Sequence, residues 1–334
     1  MPGLTWQYLT AVAKQAPAKP GWLTKNVAKN VFYSPLSKVR IVSESGTLNI
    51  ATVDKLYGEP RAVSSTPNLS ATEIAPPEIF EYDNITEELL FAQNYNPEVL
   101  VANDGGIVSS IDYLIAHKVN KLKERVLVRI EELVAQMIFT GQIQYTATGI
   151  GTVTISTGVT PSPLTLGNDV VTQMRNILRD MASNGFNADF IIVNPAAEML
   201  LWEDDQFKAA VENYRLGVGQ AQFDVAPYAT QVAKIGELPP IVCYEMTFVG
   251  TGGTSVTVPD PNTPIMVFVA TSGVTLNFGA IINAHLNSDM RPIQTDMAVW
   301  EAIPETGTGK YLYIMSRPLP FITHTSAVKI YTLS

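Results

Sequence analysis

Cysteine is nearly missing from this chain: Cys243 is the single one in 334 residues, so no intramolecular disulfide and no CxxC redox or metal motif can form. A lone thiol is compatible with a reducing cytoplasm. Histidine is almost as scarce. His117, His285 and His324 stand far apart and outside any HExxH or HxxxH pair, which leaves no spaced metal ligands and points to no cofactor. Charge is low, at 16% of residues. Long hydrophobic runs are missing too, since stretches such as Ile265 to Ala270 and Phe190 to Val193 fall far short of the ~18 residues a membrane helix needs. No membrane is therefore an expected partner. The first twenty residues carry Lys14 and Lys19 without a continuous apolar stretch or a cleavage site, so a secretory signal is not expected. What is present, 46% hydrophobic residues in a chain of this length, suits a buried core of about two domains and excludes a disordered chain.

Acids are absent from the first forty positions, where Lys14, Lys19, Lys25, Lys29, Lys38 and Arg40 give a net +6. Residues 41–100 then carry ten acids against Lys55 and Arg61, a net −8, which leaves −7 for the rest of a chain whose formal charge is −9. Adjacent segments of opposite charge can attract within one chain or between copies in an assembly. A solvated surface accounts for the same layout.

The pattern along the chain changes in step with the charge. Residues 1–35 are sprinkled with Pro2, Pro17, Pro20 and Pro35 and show only a short helical stretch near Thr5 to Lys14, so they read as an arm that needs something to lie against. From Lys38 to about Asp83, short alternating runs around a Ser/Thr/Pro tip predict a long two-stranded excursion, too poor in apolar residues to build its own core. A strong helical period follows. Ser109 to Asp112 fits a capping box, and Ile111, Ile115, Val119, Leu122, Val126, Ile130, Leu133 and Met137 predict one helix of about 30 residues ending near Gly141. Lys118, Lys121, Arg125 and Arg129 form a basic stripe beside that apolar seam, able to meet phosphates or a neighbour's acids, or simply to cover the seam with their stems. Downstream, the sequence predicts a hairpin over Gln142 to Thr157 turning at Gly149 and Gly151. A helix from Asn168 to Asn184 with Gly185 as its stop comes next, then the strand Asp189 to Val193 and a helix capped by Asn194 and running to Gly217. Strands are expected around Ile241 to Met246, Ile265 to Ala270, Val274 to Ile282, Tyr311 to Ile314, Pro320 to Thr323 and Ala327 to Tyr331, with a Gly/Thr/Pro loop over Gly250 to Pro264.

A search for catalytic machinery yields no site. There is no GxSxG nucleophile elbow. Gly307 to Lys310 resembles the end of a phosphate loop, but Pro304 replaces the first glycine and Tyr311 stands where Ser or Thr must hold magnesium. Gly217 to Gln222 matches only part of GxGxxG and follows a helix. Cys243 lies within an apolar strand pattern, and Glu87-Glu88 and Asp204-Asp205 read as helix-start or surface acids. No catalytic, cofactor-binding or metal residue is nominated, and a nonenzymatic role is expected. Segments that cannot fold alone imply a subunit that finishes folding against its neighbours.

Three stretches carry a family resemblance: Arg129 to Met137 with Thr140 to Tyr145; Asp189 to Pro195 with Trp202, Phe207 and Lys208; and Tyr311 to Pro320. In this order they resemble the lambda-type tailed-phage major capsid proteins, the major capsid protein E family. The resemblance implies an α+β protein of the Hong Kong 97-type capsid fold, with an N-terminal arm (1–37), an extended loop (38–83), a peripheral domain with a long spine helix (84–160 and 289–334) and an axial domain (161–288). It implies a shell protein closing as hexamers and pentamers into an icosahedral head around double-stranded DNA held by non-specific contact, in a virion assembled in the bacterial host cytoplasm. The implied partners are other copies of the chain, a portal and possible decoration proteins. Because arm and loop occupy the first 106 residues, a separate scaffolding protein is expected. On this template Lys14, Lys25 and Lys29 of the arm, and Lys55, Glu59, Arg61, Glu73 and Glu78 of the loop, are candidate intersubunit contacts, with the arm beside the acidic loop of an adjacent subunit. No covalent crosslink is expected. Two other readings are an encapsulin-like nanocompartment shell and a metabolic enzyme that uses the helix-strand-helix region to bind a nucleotide.

Overall fold

A computed structural model describes residues 6–15, 21–45, 68–85, 100–101, 107–108, 110–147, 151–166, 169–215, 228–249, 255–303 and 309–334. Two short helices, α1 (Trp6–Gln15) and α2 (Trp22–Asn26), precede the long helix α3 (Ser110–Thr140), which has 31 residues and, at 1.5 Å per residue, spans about 46 Å. Of the predicted seam, Ile115, Val119, Leu122, Val126, Ile130, Leu133 and Met137 are all buried. Gly141 ends the helix as predicted, with φ +70 and its N–H on the Met137 carbonyl at 2.9 Å. Ser109 of the expected capping box lies outside the described residues. The last three turns differ from a one-sided amphipathic helix: residues 130–135 and 137–139 are buried all round, because α2, the hairpin Gln142–Ala147/Gly151–Ser156 and a large sheet enclose them.

That sheet has six strands in the order Ala229–Ala233, Ile241–Tyr244, Phe190–Val193, Ile265–Val269, Val328–Leu333 and Ser162–Leu164, with mixed parallel and antiparallel pairs. One face lies under α4 (Val170–Ser183), α5 (Pro195–Glu203) and α6 (Asp205–Arg215). The other face, with Ile192, Val242, Tyr244, Val267 and Ile330, joins the core around α3. Burial on both faces is why its central strands read as unbroken apolar runs instead of alternating ones. The predicted stop of α4 is present: Gly185 has φ +88, its N–H bonds the Ala182 carbonyl and Phe186 N–H the Met181 carbonyl. The helix expected from Pro195 to Gly217 is broken. Asp204 is extended and caps a second helix through Phe207 N–H at 2.7 Å, so the acidic pair is a helix junction. Within the expected Gly/Thr/Pro loop, Ser255–Val258 alternates and pairs with Met246–Val249.

Two three-stranded sheets complete the core. Asn30–Tyr33 runs parallel to Val274–Phe278, which pairs with Pro318–Ile322. Ala298–Ala302, Lys310–Ser316 and Ile79–Ile85 form the other. Sheet membership thus cuts across the segment boundaries expected from the template: residues 79–83 join strands of 289–334, Val274–Phe278 joins the arm, and Val328–Leu333 joins the strands of 161–288. The ribbon Val39–Ser45/Asn68–Ile74 keeps strict antiparallel register and, among the described residues, belongs to no larger sheet.

Asn194 ties the six-stranded sheet to its helices. It is fully buried; its Oδ1 accepts from Ala197 N–H at 3.0 Å and Ile265 N–H at 2.9 Å, and its Nδ2 donates to the carbonyls of Asp260 and Thr263 at 3.0 and 2.7 Å. The Asn-Pro step is therefore a cap and a strand clamp together. Asn194→Ala is expected to lower subunit stability by about 2–4 kcal/mol, because it removes the helix cap and orphans the buried N–H groups of Ala197 and Ile265. Urea unfolding of the unassembled subunit measures this, and a change below about 0.5 kcal/mol would contradict it.

Candidate assembly site

The arm needs a surface to lie on, and it finds one in its own chain. On α1, Leu9 and Ala13 are buried, and the Thr10 hydroxyl bridges the backbone of Val299, accepting its N–H at 3.0 Å. After it, α2 begins at Gly21, which has no side chain to cap the free N–H groups of the first turn. Glu131 of α3 supplies the cap. Its carboxylate is 1% exposed and accepts from Leu23 N–H and Thr24 N–H at 2.8 Å each, the Thr24 hydroxyl at 2.6 Å and the Tyr244 hydroxyl at 3.0 Å. One buried side chain thus joins the arm, the long helix and the six-stranded sheet. Burial, and then the adjacent Glu131 charge, push the Tyr244 phenol up, so it remains a donor to that carboxylate. Glycine is required at position 21, where a Cβ would stand 1.9 Å from the Glu131 carboxyl carbon.

The charged candidates divide by location. Lys14 pairs with Asp296 at 3.1 Å, while Lys25 and Lys29 are exposed on the arm. Lys55, Glu59 and Arg61 lie outside the described residues. Glu73 is exposed on the ribbon opposite Arg40 in register, and Glu78 pairs with Arg317, whose Nε donates at 2.9 Å. The basic stripe on α3 is turned largely onto the chain's own acids. Lys118 is buried against Asp83 at 2.8 Å and the Asn84 carbonyl at 2.9 Å; Arg125 holds Glu81 at 2.8 Å; Arg129 binds Glu132. Lys121 is exposed. The acids Glu81 and Asp83 are thus countered from below by the stripe. Exposed residues remain on the arm strand Asn30–Tyr33 and on the edge strand Ile79–Ile85.

Comparison with known proteins decides the family. The model of "Phage major capsid protein E" matches residues 5–332. The chain belongs to the phage major capsid protein E family. Among solved structures, a prophage protein of E. coli CFT073 described as a capsid protein is similar over 100% of both chains, with TM-score 0.67 and 12% identity. A phage-related protein of Bordetella bronchiseptica RB50 is similar over 99% of this chain and 98% of its own, with TM-score 0.51 and 11% identity. No curated protein matches the chain. The fold is that of Hong Kong 97-type capsid proteins, and the chain is a capsid-forming protein.

In this capsid protein the described groups that first suggest chemistry make internal contacts. Lys310, the last residue of the phosphate-loop lookalike, pairs with Glu301 at 3.1 Å as a strand begins. Gly217 to Gln222 lies outside the described residues. The Cys243 thiol is pushed up, by burial first and then by the neighbouring Glu198, away from a reactive thiolate. His324 packs on the Phe186 ring at 5.1 Å. Among the described residues no group of three His, Cys, Asp or Glu side chains is placed to hold a metal ion. The strand Phe190–Val193 has one parallel and one antiparallel neighbour and leads into Asn194-Pro195, not into a glycine-rich phosphate turn. Sequence reasoning missed Glu131. On a helical wheel it falls about 140° from the seam, on the side that reads as solvent, and the returning arm together with Tyr244 of the sheet buries it.

Gly21→Ala is expected to release the arm as thoroughly as removal of the Glu131 carboxylate would. Protease sensitivity at residues 21–28 should rise severalfold while α3 stays protected; an unchanged digest would contradict the capping role. Glu132, buried beside Glu131, is held above the ordinary glutamate value of 4.5, chiefly by burial, with Arg129 only partly opposing. The folded state therefore keeps this proton more tightly than the unfolded chain, and its contribution to stability is complete below 4.5 and is lost as pH rises through the raised folded value. Glu132→Gln is expected to flatten that decline in urea midpoints measured against pH. Identical slopes for both proteins would show that Glu132 does not govern it.

Proposed function

We propose that this capsid protein closes as hexamers and pentamers into an icosahedral head around double-stranded DNA, which it contacts without sequence preference. The observation that carries this reading is the ribbon Val39–Ser45/Asn68–Ile74. At about 3.3 Å per residue its seven paired positions extend roughly 23 Å. An isolated two-stranded ribbon is marginal in water, so a neighbouring subunit completes it. The exposed arm cations Lys25 and Lys29 face acids of an adjacent copy's loop, which carries Glu59 and Glu73. A separate scaffolding protein directs closure, a portal occupies one vertex, and a decoration protein binds where the lattice leaves a site for one; the head assembles in the host cytoplasm and the protein itself performs no catalysis.

Negative-stain microscopy of the protein expressed in bacteria is expected to show large polyhedra or curved sheets. Small uniform shells would favour a nanocompartment, and discrete small oligomers would contradict both. Reversing Lys25 and Lys29 to Glu is expected to lower the assembled fraction severalfold at low salt, with the gap to wild type closing at high salt as charges are screened. Assembly that is equal at every salt concentration would remove the arm-to-loop contact.

A further inference from the structure

The sheet Ala298–Ala302, Lys310–Ser316 and Ile79–Ile85 carries its charges on the wrong side for a surface sheet. Strand alternation places Glu301, Lys310, Glu81 and Asp83, the only charged residues of the three strands, on the face toward α3. All four are ion-paired there, two with each other and two with Arg125 and Lys118. The opposite face consists of Ala298, Trp300, Ala302, Tyr311, Tyr313, Met315, Phe80, Tyr82 and Asn84, with no charge on it. Its rings form a continuous layer: Trp300 stacks on Tyr313 at 5.5 Å, Phe80 on both at 5.8 and 5.7 Å, and Tyr82 contacts Tyr311 and Tyr313 at 5.6 Å each. Trp6, Ile281, Leu286 and Ile293 cover the half beside Ala298–Ala302. That cover stops short of Ile79–Ile85, the edge strand, where Phe80 is 50% and Tyr82 62% exposed.

We infer that this aromatic face is an interface at which a second copy of the chain docks, centred on Phe80 and Tyr82; the inference rests on the shell reading above. An exposed aromatic layer at an open sheet edge marks an interaction surface. Aromatic platforms that hold single-stranded nucleic acid combine stacking with cations that track the phosphates. Here the nearby cations Lys118, Arg125 and Lys310 lie beneath the sheet in ion pairs, so the face offers phosphates nothing. An uncharged aromatic surface matches the desolvated centre of a protein interface. In a shell built from one capsid-forming chain, the partner present at every such edge is another copy, and a contact between two different patches propagates from copy to copy, closing where the rotation between copies closes.

The test is hydroxyl-radical footprinting of Phe80 and Tyr82 in the full chain, compared between unassembled subunits, empty particles and DNA-filled particles. Oxidation of both is expected to fall about tenfold on assembly into empty particles, as for residues at the core of an interface. Tyr82→Glu, at an exposed position, should lower the assembled fraction about tenfold with an unchanged thermal midpoint, as for loss of an interface anchor. Met199→Glu, at a position 68% exposed on α5, should assemble as wild type. Particles in which Tyr82 reacts as fast as in free subunits would overturn the interface and leave the shell reading intact. Protection that appears only with DNA inside would overturn it in favour of nucleic acid. A wild-type chain that never forms particles would contradict the shell reading and the interface with it. If the variant fails to fold, the wild-type footprint alone decides.

Discussion

The Glu131 carboxylate is the constraint on which the rest of the molecule depends. Removing a carboxylate from water is costly unless its lone pairs are filled, and here four donors fill them: two backbone N–H groups, a threonine hydroxyl and a tyrosine hydroxyl. Those donors come from two parts of the chain more than a hundred residues from Glu131 in sequence, so the favourable state exists only when arm, long helix and large sheet are in place together. The cost of an unmade bond makes this junction cooperative. Gly21 leaves room for it and Trp22 and Leu23 seal it from solvent.

The same logic of internal pairing shapes the surface. Lys118, Arg125 and Arg129 lie near one another on α3, yet their partners are Asp83, Glu81 and Glu132 of the same chain. Where such pairs are partly exposed they add little stability, and Lys118, with its buried ammonium, trades desolvation for register. Their larger effect is on location. Charges drawn beneath the Ile79–Ile85 strand leave its outer face uncharged, while the arm keeps exposed cations at Lys25 and Lys29. One chain therefore presents an uncharged aromatic face on one strand and exposed cations on another segment.

Much of the fold was legible in the sequence because local rules governed it. The period of α3, its stop at Gly141, the Asn194-Pro195 helix start and the Gly185 cap each rest on chemistry within a few residues. The break at Asp204 was less legible, since an aspartate reads equally as a surface acid and as a cap. The roles of Glu131 and of the α3 cations were not legible. A helical wheel puts Glu131 on the solvent side and the cations beside the seam without saying what they meet, and long-range packing by residues 21–28, 79–85 and Tyr244 supplies their partners. The aromatic face was hidden for a related reason: Phe80, Tyr82, Tyr311, Tyr313 and Trp300 come from three separated strands, and their adjacency exists only in the register of the sheet.

Amide hydrogen exchange at Leu23 and Thr24 in the unassembled subunit, wild type against Glu131→Gln, tests the central claim most directly. The carboxamide presents an NH2 group in place of an oxygen that accepts from two of the four donors, one of them a backbone N–H, so at least one bond must be lost. Exchange across residues 21–28 is expected to accelerate by about a hundredfold or more, equivalent to about 2.7 kcal/mol, while the amides of α3 between Val119 and Leu133 keep their protection. Unchanged protection at Leu23 and Thr24 would show that the arm is held by apolar packing alone and that the carboxylate is not the junction.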